Sequence, residues 1–514
     1  MKHQVIPSCV WTYPDIEEYP EGKDRAELLC LRGGYAAFQI HLTNISGKEL
    51  KVSSEGFSAE LYFARPIPVE SCPGISEPAP HFPERKAPFE VNDCLVPIKD
   101  KVTFSHGTAT IYVAVSVVRH APEKIEGSIR IEDSESTVSV PVSIEVARAE
   151  LPKERLNMVM GLSAWDIKVH HKLNKTDQFS RLENQYLSLL RRQHQNMLYV
   201  RWPRERYEDG KWSFDFSYFN RYVKKAREMG FKKFLVEGCG FRRSWEAPDI
   251  YHKNVDLLSY EGYEYLRQYL TALRSNLAKN GWLNGDMFFM GVCDEPNEIN
   301  SLTYRAVVSL IRKYIPELRL YDATSGAPIY GALDIWVPRA DEYEAHREIF
   351  DSYREAGDEI WHYVCLYPRE GGYINRFMDI PLLCTRYLFW GNYKYGLTGY
   401  LHWTVNAYQD NCNPFEVSCP GHVNAGSKSI LPPGDDKLIY PGDGGGWMSI
   451  RLENHRESAE EYSMLVTLAE KNKPLADSIC AEVFESFRSV EFDAEKFEAT
   501  RRRLIRAYEE IFMK

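Results

Sequence analysis

Beyond Leu151–Pro152 the chain keeps one rhythm, a short apolar run followed in most cases by an amphipathic helical stretch. The runs are VMGLS (159–163), NMLYV (196–200), KFLVE (233–237), MFFMGVCDE (287–295), LRLYDAT (318–324), LDIWV (333–337), IWHYVC (360–365) and GYLHWTV (399–405). Between them, segments such as FDFSYFNRYVKKAREMGF place Phe216, Phe219, Val223 and Ala226 on a single helical stripe. Only between the fifth and sixth runs is the helix missing or very short. Eight strands alternating with helices is the count of a (β/α)8 TIM-type barrel, which takes roughly 250 residues before insertions. The alternative is a doubly wound open sheet, which usually carries a Gly-rich phosphate turn after its first strand. Here the first run leads into SAWDIKVHH, so the barrel is preferred.

Upstream the period changes. In TVSVPVSIEV the residues Val138, Val140, Val142, Ile144 and Val146 alternate with polar ones, the pattern of a strand with one buried face. Similar runs (AAFQIHLTN, SAELYFARP, ATIYVAVSVV) are separated by turn material, and no long helical pattern intervenes. The expected organisation is therefore multidomain. An N-terminal antiparallel β-sandwich spans 1–150, a (β/α)8 barrel spans 151–475, and a C-terminal helical segment, 476–514, packs on the barrel. A long polar stretch rich in Gly and Pro (406–446) follows the eighth run, and loops of that length in a compact domain are usually functional.

Several classes of function are disfavoured. A net charge of −10 without a long basic run leaves no electrostatic footprint for nucleic acid. The first residues lack the apolar core and cleavage site of a signal peptide, and no window approaches a membrane span of roughly 18–20 apolar residues. Eleven cysteines without CxxC spacing read as reduced thiols rather than a disulfide or zinc framework. The expectation is a cytoplasmic protein with no cofactor, no metal, no nucleic-acid partner and no membrane partner; a homo-oligomer is compatible with it.

Active sites of such barrels are built at the C-terminal ends of the strands. In this register those ends carry Glu237, the adjacent Asp294–Glu295, Asp322, Trp336, Tyr363, Tyr367, Trp403 and Asn406, a funnel of carboxyls and rings without a metal signature. Bland readings stand beside these. Asp294 has the position of a cap for the helix after Pro296, the tryptophans suit a core, and Glu298 and Asp322 suit solvent. The His170–His171 pair lacks the spacing of a helical metal site. Arg191–Arg192 and RRRLIR (501–506) read as solvated helix faces. No G-x-S-x-G elbow is present, and GDGGG (442–446) lacks the Lys-Ser/Thr of a phosphate loop. Paired carboxyls with aromatic rings fit glycoside hydrolysis best.

The strand ending in DEP, the segment GLTGYLHWTVNAYQD, the stretch LIYPG and the following SIRLENHRESAEEY resemble glycoside hydrolase family 123 over most of the chain, and RGGYAAFQIHLTN resembles its first domain. The resemblance implies a β-N-acetylgalactosaminidase acting on a glycan with retention, the substrate's own 2-acetamido oxygen being the nucleophile. It implies Glu295 as general acid and later base, and Asp294 as the residue holding the acetamido N–H. Trp403, with Trp336, would floor the sugar subsite, and Tyr363 or Tyr367 would orient the acetamido oxygen. Asn406 and Glu237 complete the expected substrate contacts. The alternatives are a broader β-N-acetylhexosaminidase, an inverting hydrolase pairing Glu295 with Glu237, and a non-catalytic carbohydrate-binding protein on the same scaffold.

Overall fold

The computed structural model describes residues 1–75, 79–104, 106–173, 176–324, 326, 329–409 and 412–512. Eight parallel strands form one sheet: Asn157–Met160, Met197–Val200, Lys233–Val236, Phe288–Met290, Arg319–Thr324, Ile335–Pro338, Glu359–Tyr363 and Gly399–His402. From the second to the eighth, each pairs with its sequence neighbour, and the first pairs with the eighth. The sheet is therefore a nearly closed barrel whose one seam lies between the first and second strands. Side chains stitch that seam. Gln195 Nε2 donates to the carbonyls of Met160 (3.2 Å) and Met197 (2.9 Å), and Asn196 accepts from Met158 N–H and donates to Leu156.

Alternation along the strands sorts residues into lumen and exterior. Val159, Leu235, Phe289, Ile335, Val337, Trp361, Tyr363 and Leu401 fill the lumen. Trp361 fits only because its neighbour is Gly399, where a Cβ would lie 2.3 Å from the indole. Helices follow most of the strands, and among the described residues none lies between the fifth and sixth, as the sequence suggests. Five of the strands end earlier than the apolar runs do, most clearly the fourth, which stops at Met290 rather than at the acid pair.

The N-terminal region contains two five-stranded sheets sharing a core of Phe38, Ile40, Ile111, Val113, Ile129, Ile131, Val140 and Ile144. The expectation of antiparallel pairing needs one correction, because Thr137–Glu150 runs parallel to Ala26–Arg32. The central strands of one sheet are buried on both faces. Tyr35–Thr43 has no exposed residue, with Phe38 and Ile40 toward the second sheet and Gln39 and His41 toward the opposite side. Among the described residues no helix is long and apolar enough to cross a membrane.

The helix Ile450–Ala481 is buried along its first half although it carries many charges, and it kinks at Asn472, next to the expected boundary at 475. Arg451 bonds both carboxylate oxygens of Asp93 on the N-terminal sheet (3.1 and 2.8 Å). Arg386 reaches Glu457 and Glu461, and Arg501 reaches Glu461 at 3.0 Å. The reading of RRRLIR as solvated holds for Arg503 but is corrected for Arg501, and that of Arg191–Arg192 is corrected too. Arg501 is buried against this helix, Arg192 pairs with Glu60 and Glu453, and Arg191 pairs with Glu154. A buried pair adds little net energy, but removing one partner strands the other charge. Arg451→Met is therefore expected to lower unfolding stability by roughly 3–5 kcal/mol, read as an earlier urea midpoint. Lys473→Ala, which removes an exposed pair with Asp477, should leave that midpoint in place.

Candidate active site

After Met290 the backbone leaves the barrel ladder. Gly291 N–H still donates to Val236, but the N–H groups of Val292 and Cys293 turn to Asp322 Oδ2, at 2.9 and 3.1 Å. Tyr304 adds its hydroxyl to the same oxygen at 2.6 Å. Asp322 is thus a buried anchor, not the solvated residue expected. Burial pushes its carboxyl up to about 7 against the pull of these three donors.

Two residues on, Glu295 adopts φ +43°, the left-handed region that residues other than glycine rarely enter, at a cost of roughly 1–3 kcal/mol. Arg242 Nη2 holds its carbonyl at 2.6 Å. In a regular strand Asp294 and Glu295 would face opposite ways; the turn lets both line one pocket. Asp294 does not cap the next helix. Asn300 occupies that position, and Asn297 and Asn300 exchange side-chain-to-backbone hydrogen bonds.

The pocket, of about 470 Å³, opens at the C-terminal mouth of the barrel. Among its described lining residues Asp294 and Glu295 are the only carboxyls. Tyr363 donates its hydroxyl to Glu295 Oε1, and burial keeps that phenol neutral by raising its pKa. Trp403 forms part of the wall; its indole Nε1 bonds Asp435 Oδ2 at 3.1 Å, and Arg376 bonds the other Asp435 oxygen at 2.6 Å. A hairpin, Gly421–Asn424 with Ser427–Ile430, folds over the mouth and contributes His422, Asn424, Ser427, Lys428 and Ser429. Enclosure by the pocket walls and then the charge of Glu295 raise the Asp294 carboxyl above the usual range, while Arg242 and the Asn424 side chain pull it down. Asp294 also touches solvent through the open mouth, which weakens the first of these effects.

Of the residues singled out in the sequence, Asp294, Glu295, Tyr363, Tyr367 and Trp403 meet in this pocket. Three do not. Trp336 is fully buried on the outside of its strand, stacked on Tyr353 at 4.4 Å and bonded to Asp358, because its neighbours Ile335 and Val337 take the lumen side. It floors no sugar site. Asn406 is fully buried and clamps the backbone N–H and carbonyl of Ser163, joining the ends of the eighth and first strands. Glu237 lies beyond the pocket lining, within the field of Arg201 and Tyr199. Sequence reasoning missed Arg242, Trp245, Arg339 and the whole hairpin. The segment GCGFRRSW after the third strand was the available signal for the first two. Among the described residues no group of His, Cys, Asp and Glu is placed to hold a metal ion.

Over nearly its full length the chain superposes on a family 123 glycoside hydrolase from Clostridium perfringens, with a TM-score of 0.75 at 14% identity, covering 99% of this chain and 97% of that one. A family 39 glycoside hydrolase from Bacteroides cellulosilyticus WH2 is far more distant, with a TM-score of 0.38, 9% identity, and 85% and 82% of the two chains covered. No curated protein matches the sequence. Residues 165–468, more than half of the chain, match the profile described as glycoside hydrolase 123, catalytic domain, and the chain belongs to that family.

Proposed function

We propose that this glycosidase is a retaining exo-β-N-acetylgalactosaminidase that uses the 2-acetamido group of its substrate as nucleophile. The observation that carries the reading is the convergence of Asp294 and Glu295 on one pocket, with Tyr363 bonded to Glu295. Glu295 protonates the glycosidic oxygen as the bond to C1 breaks, and the acetamido oxygen closes on C1 to give an oxazolinium. Asp294, ionised, accepts the acetamido N–H and offsets the developing positive charge. Glu295, now a carboxylate, takes a proton from water as that water opens the oxazolinium from the face of the departed group, so the configuration is retained. The hairpin over the mouth supports exo action on a terminal sugar. The Clostridium perfringens relative is described in terms of glycolipid glycan hydrolysis, so lipid-linked glycans belong among the substrates to try. A broader β-N-acetylhexosaminidase differs only in the sugar accepted.

The decisive assay is hydrolysis of 4-nitrophenyl β-glycosides of N-acetylgalactosamine, N-acetylglucosamine and galactose. Turnover is expected on the acetamido sugars alone, N-acetylgalactosamine first, with Asp294→Asn and Glu295→Gln each lowering it by about 10²–10⁴-fold. Equal turnover of the galactoside, or unimpaired variants, would sink the mechanism.

The pH profile gives a second check. Asp294 works ionised and its pKa is raised, so its active form is lost as pH falls through a value above the ordinary carboxylate range of about 4. The acid limb of kcat/KM should lie correspondingly high and be absent from the residual activity of Asp294→Asn. A third check separates the two tryptophans. Trp403→Ala should raise KM about tenfold, equivalent to ~1.4 kcal/mol. Trp336→Ala should leave KM unchanged and lower the melting temperature.

A further inference from the structure

The loop after the third barrel strand buries a charge that the reaction above does not use. Arg242 is only 6% exposed, between the exposed Phe241 and Arg243. Its Nη2 donates to the Glu295 carbonyl, while its Nε and Nη1 are buried with no hydrogen-bond partner among the described residues. Its guanidinium carbon sits 4.4 Å from the centre of the Trp245 ring. Trp245 also lines the pocket and donates its indole N–H to the Asn424 carbonyl at 3.2 Å, and the Asn424 side chain bonds Asp294. A buried guanidinium with two idle donors is expensive, and burial pulls its pKa down. Nothing in the packing of that loop requires a charge there. What the charge touches is the strained residue of the acid pair.

We propose that Arg242 is a positioning residue for the acid pair: gripped between the Trp245 ring and the Glu295 carbonyl, it holds Glu295 in its left-handed turn and so keeps both carboxyls on one sugar. The inference rests on the functional reading for the sugar but not for the geometry. The planar fork of arginine suits the task, since one edge bonds a carbonyl while the face stacks on an aromatic ring, which a lysine ammonium does not do. The guanidinium also faces Asp294 with the sign opposite to Glu295. The other groups facing Asp294 are Asp322, also an acid, and Tyr199, Tyr321 and Cys293, all kept neutral by burial. His422 and Lys428 approach from the hairpin side of the pocket. Arg339, which also lines the pocket, acts on Tyr363, so Arg242 is the barrel-side cation that bonds the backbone of the pair. Through Trp245 and Asn424 the same residue is linked to the seat of the hairpin.

The test compares the native chain with Arg242→Gln and Arg242→Lys. Carboxyl-carbon NMR titration of Asp294, assigned by its loss in Asp294→Asn, reads the cation without any substrate. Its midpoint should rise by about one unit in Arg242→Gln and stay near the native value in Arg242→Lys. On the best glycoside of the panel, kcat should fall about a hundredfold in Arg242→Gln, as expected for a displaced catalytic group, with KM within twofold. The lysine variant should recover only part of that loss. A folded Arg242→Gln chain with an unmoved midpoint, or with native kcat, overturns the proposal. A moved midpoint in a chain that hydrolyses none of the glycosides supports the proposal and overturns the functional reading instead. If Arg242→Gln does not fold, a crystal structure of Arg242→Lys decides. Glu295 relaxed out of its left-handed conformation supports the proposal, and an unchanged Glu295 overturns it.

Discussion

The structure hangs on the first half of the helix Ile450–Ala481, where Arg451, Glu453, Arg456, Glu457, Glu460 and Glu461 are all buried. Arg456 is matched within the helix by Glu453 and Glu460, and other charges are matched from elsewhere in the chain. The N-terminal sheet supplies Asp93, the helix Leu383–Tyr395 supplies Arg386, and the last helix supplies Arg501. Such pairs roughly break even against apolar replacements. What they add is directionality, because a buried charge without its partners is costly and so favours one docking. The N-terminal sheets, the barrel and the C-terminal helices are locked in a common frame by this one element.

That frame extends to the pocket. Arg451 also donates to the carbonyls of Gly434 and Lys437, which bracket Asp435. Asp435 is bonded by Arg376 on one oxygen and by the Trp403 indole on the other. A line of buried bonds therefore runs from Asp93 on the N-terminal sheet to the ring of the pocket wall, which gives the sheets a structural part in the site. The acid loop is fixed differently. Asp322 holds its incoming backbone and Arg242 its outgoing carbonyl. The strain at Glu295 persists because both ends are pinned.

Much of this was legible in the sequence because hydrophobic periodicity is local. All eight barrel strands coincide with an apolar run, and Val140, Val142, Ile144 and Val146 share one face of their strand. The acid pair was legible because ionised neighbours at the end of an apolar run are unusual. Failures came where the deciding partner is far away in the chain. Arg501 reads as solvated until Glu461, forty residues earlier, is seen opposite it. Asp322 reads as solvated until a backbone with no ladder partner turns toward it. Trp336 fails for a subtler reason. Period-two alternation shows that it faces away from Ile335 and Val337, but only the closed barrel shows which side is the lumen. The hairpin 421–430 is short and polar, so nothing local distinguishes it from ordinary loop.

The adjacency of the two carboxyls itself bears on mechanism. Enzymes that supply their own nucleophile set two carboxyl groups about 5–5.5 Å apart across the scissile bond, and inverting ones set them roughly 6.5–9.5 Å apart, with water on the far face. Both arrangements need carboxyls on opposite sides of the sugar. Residues consecutive in the chain have Cα atoms only about 3.8 Å apart, and here a left-handed turn brings their side chains into the same pocket. Glu237, the sequence candidate for an opposing carboxylate, lies outside the lining of that pocket. In the proposed mechanism acid and helper approach from one side, so the face opposite the leaving group is left to the substrate. There a 2-acetamido oxygen would attack, and an ionised Asp294 beside the acid is what its N–H would require.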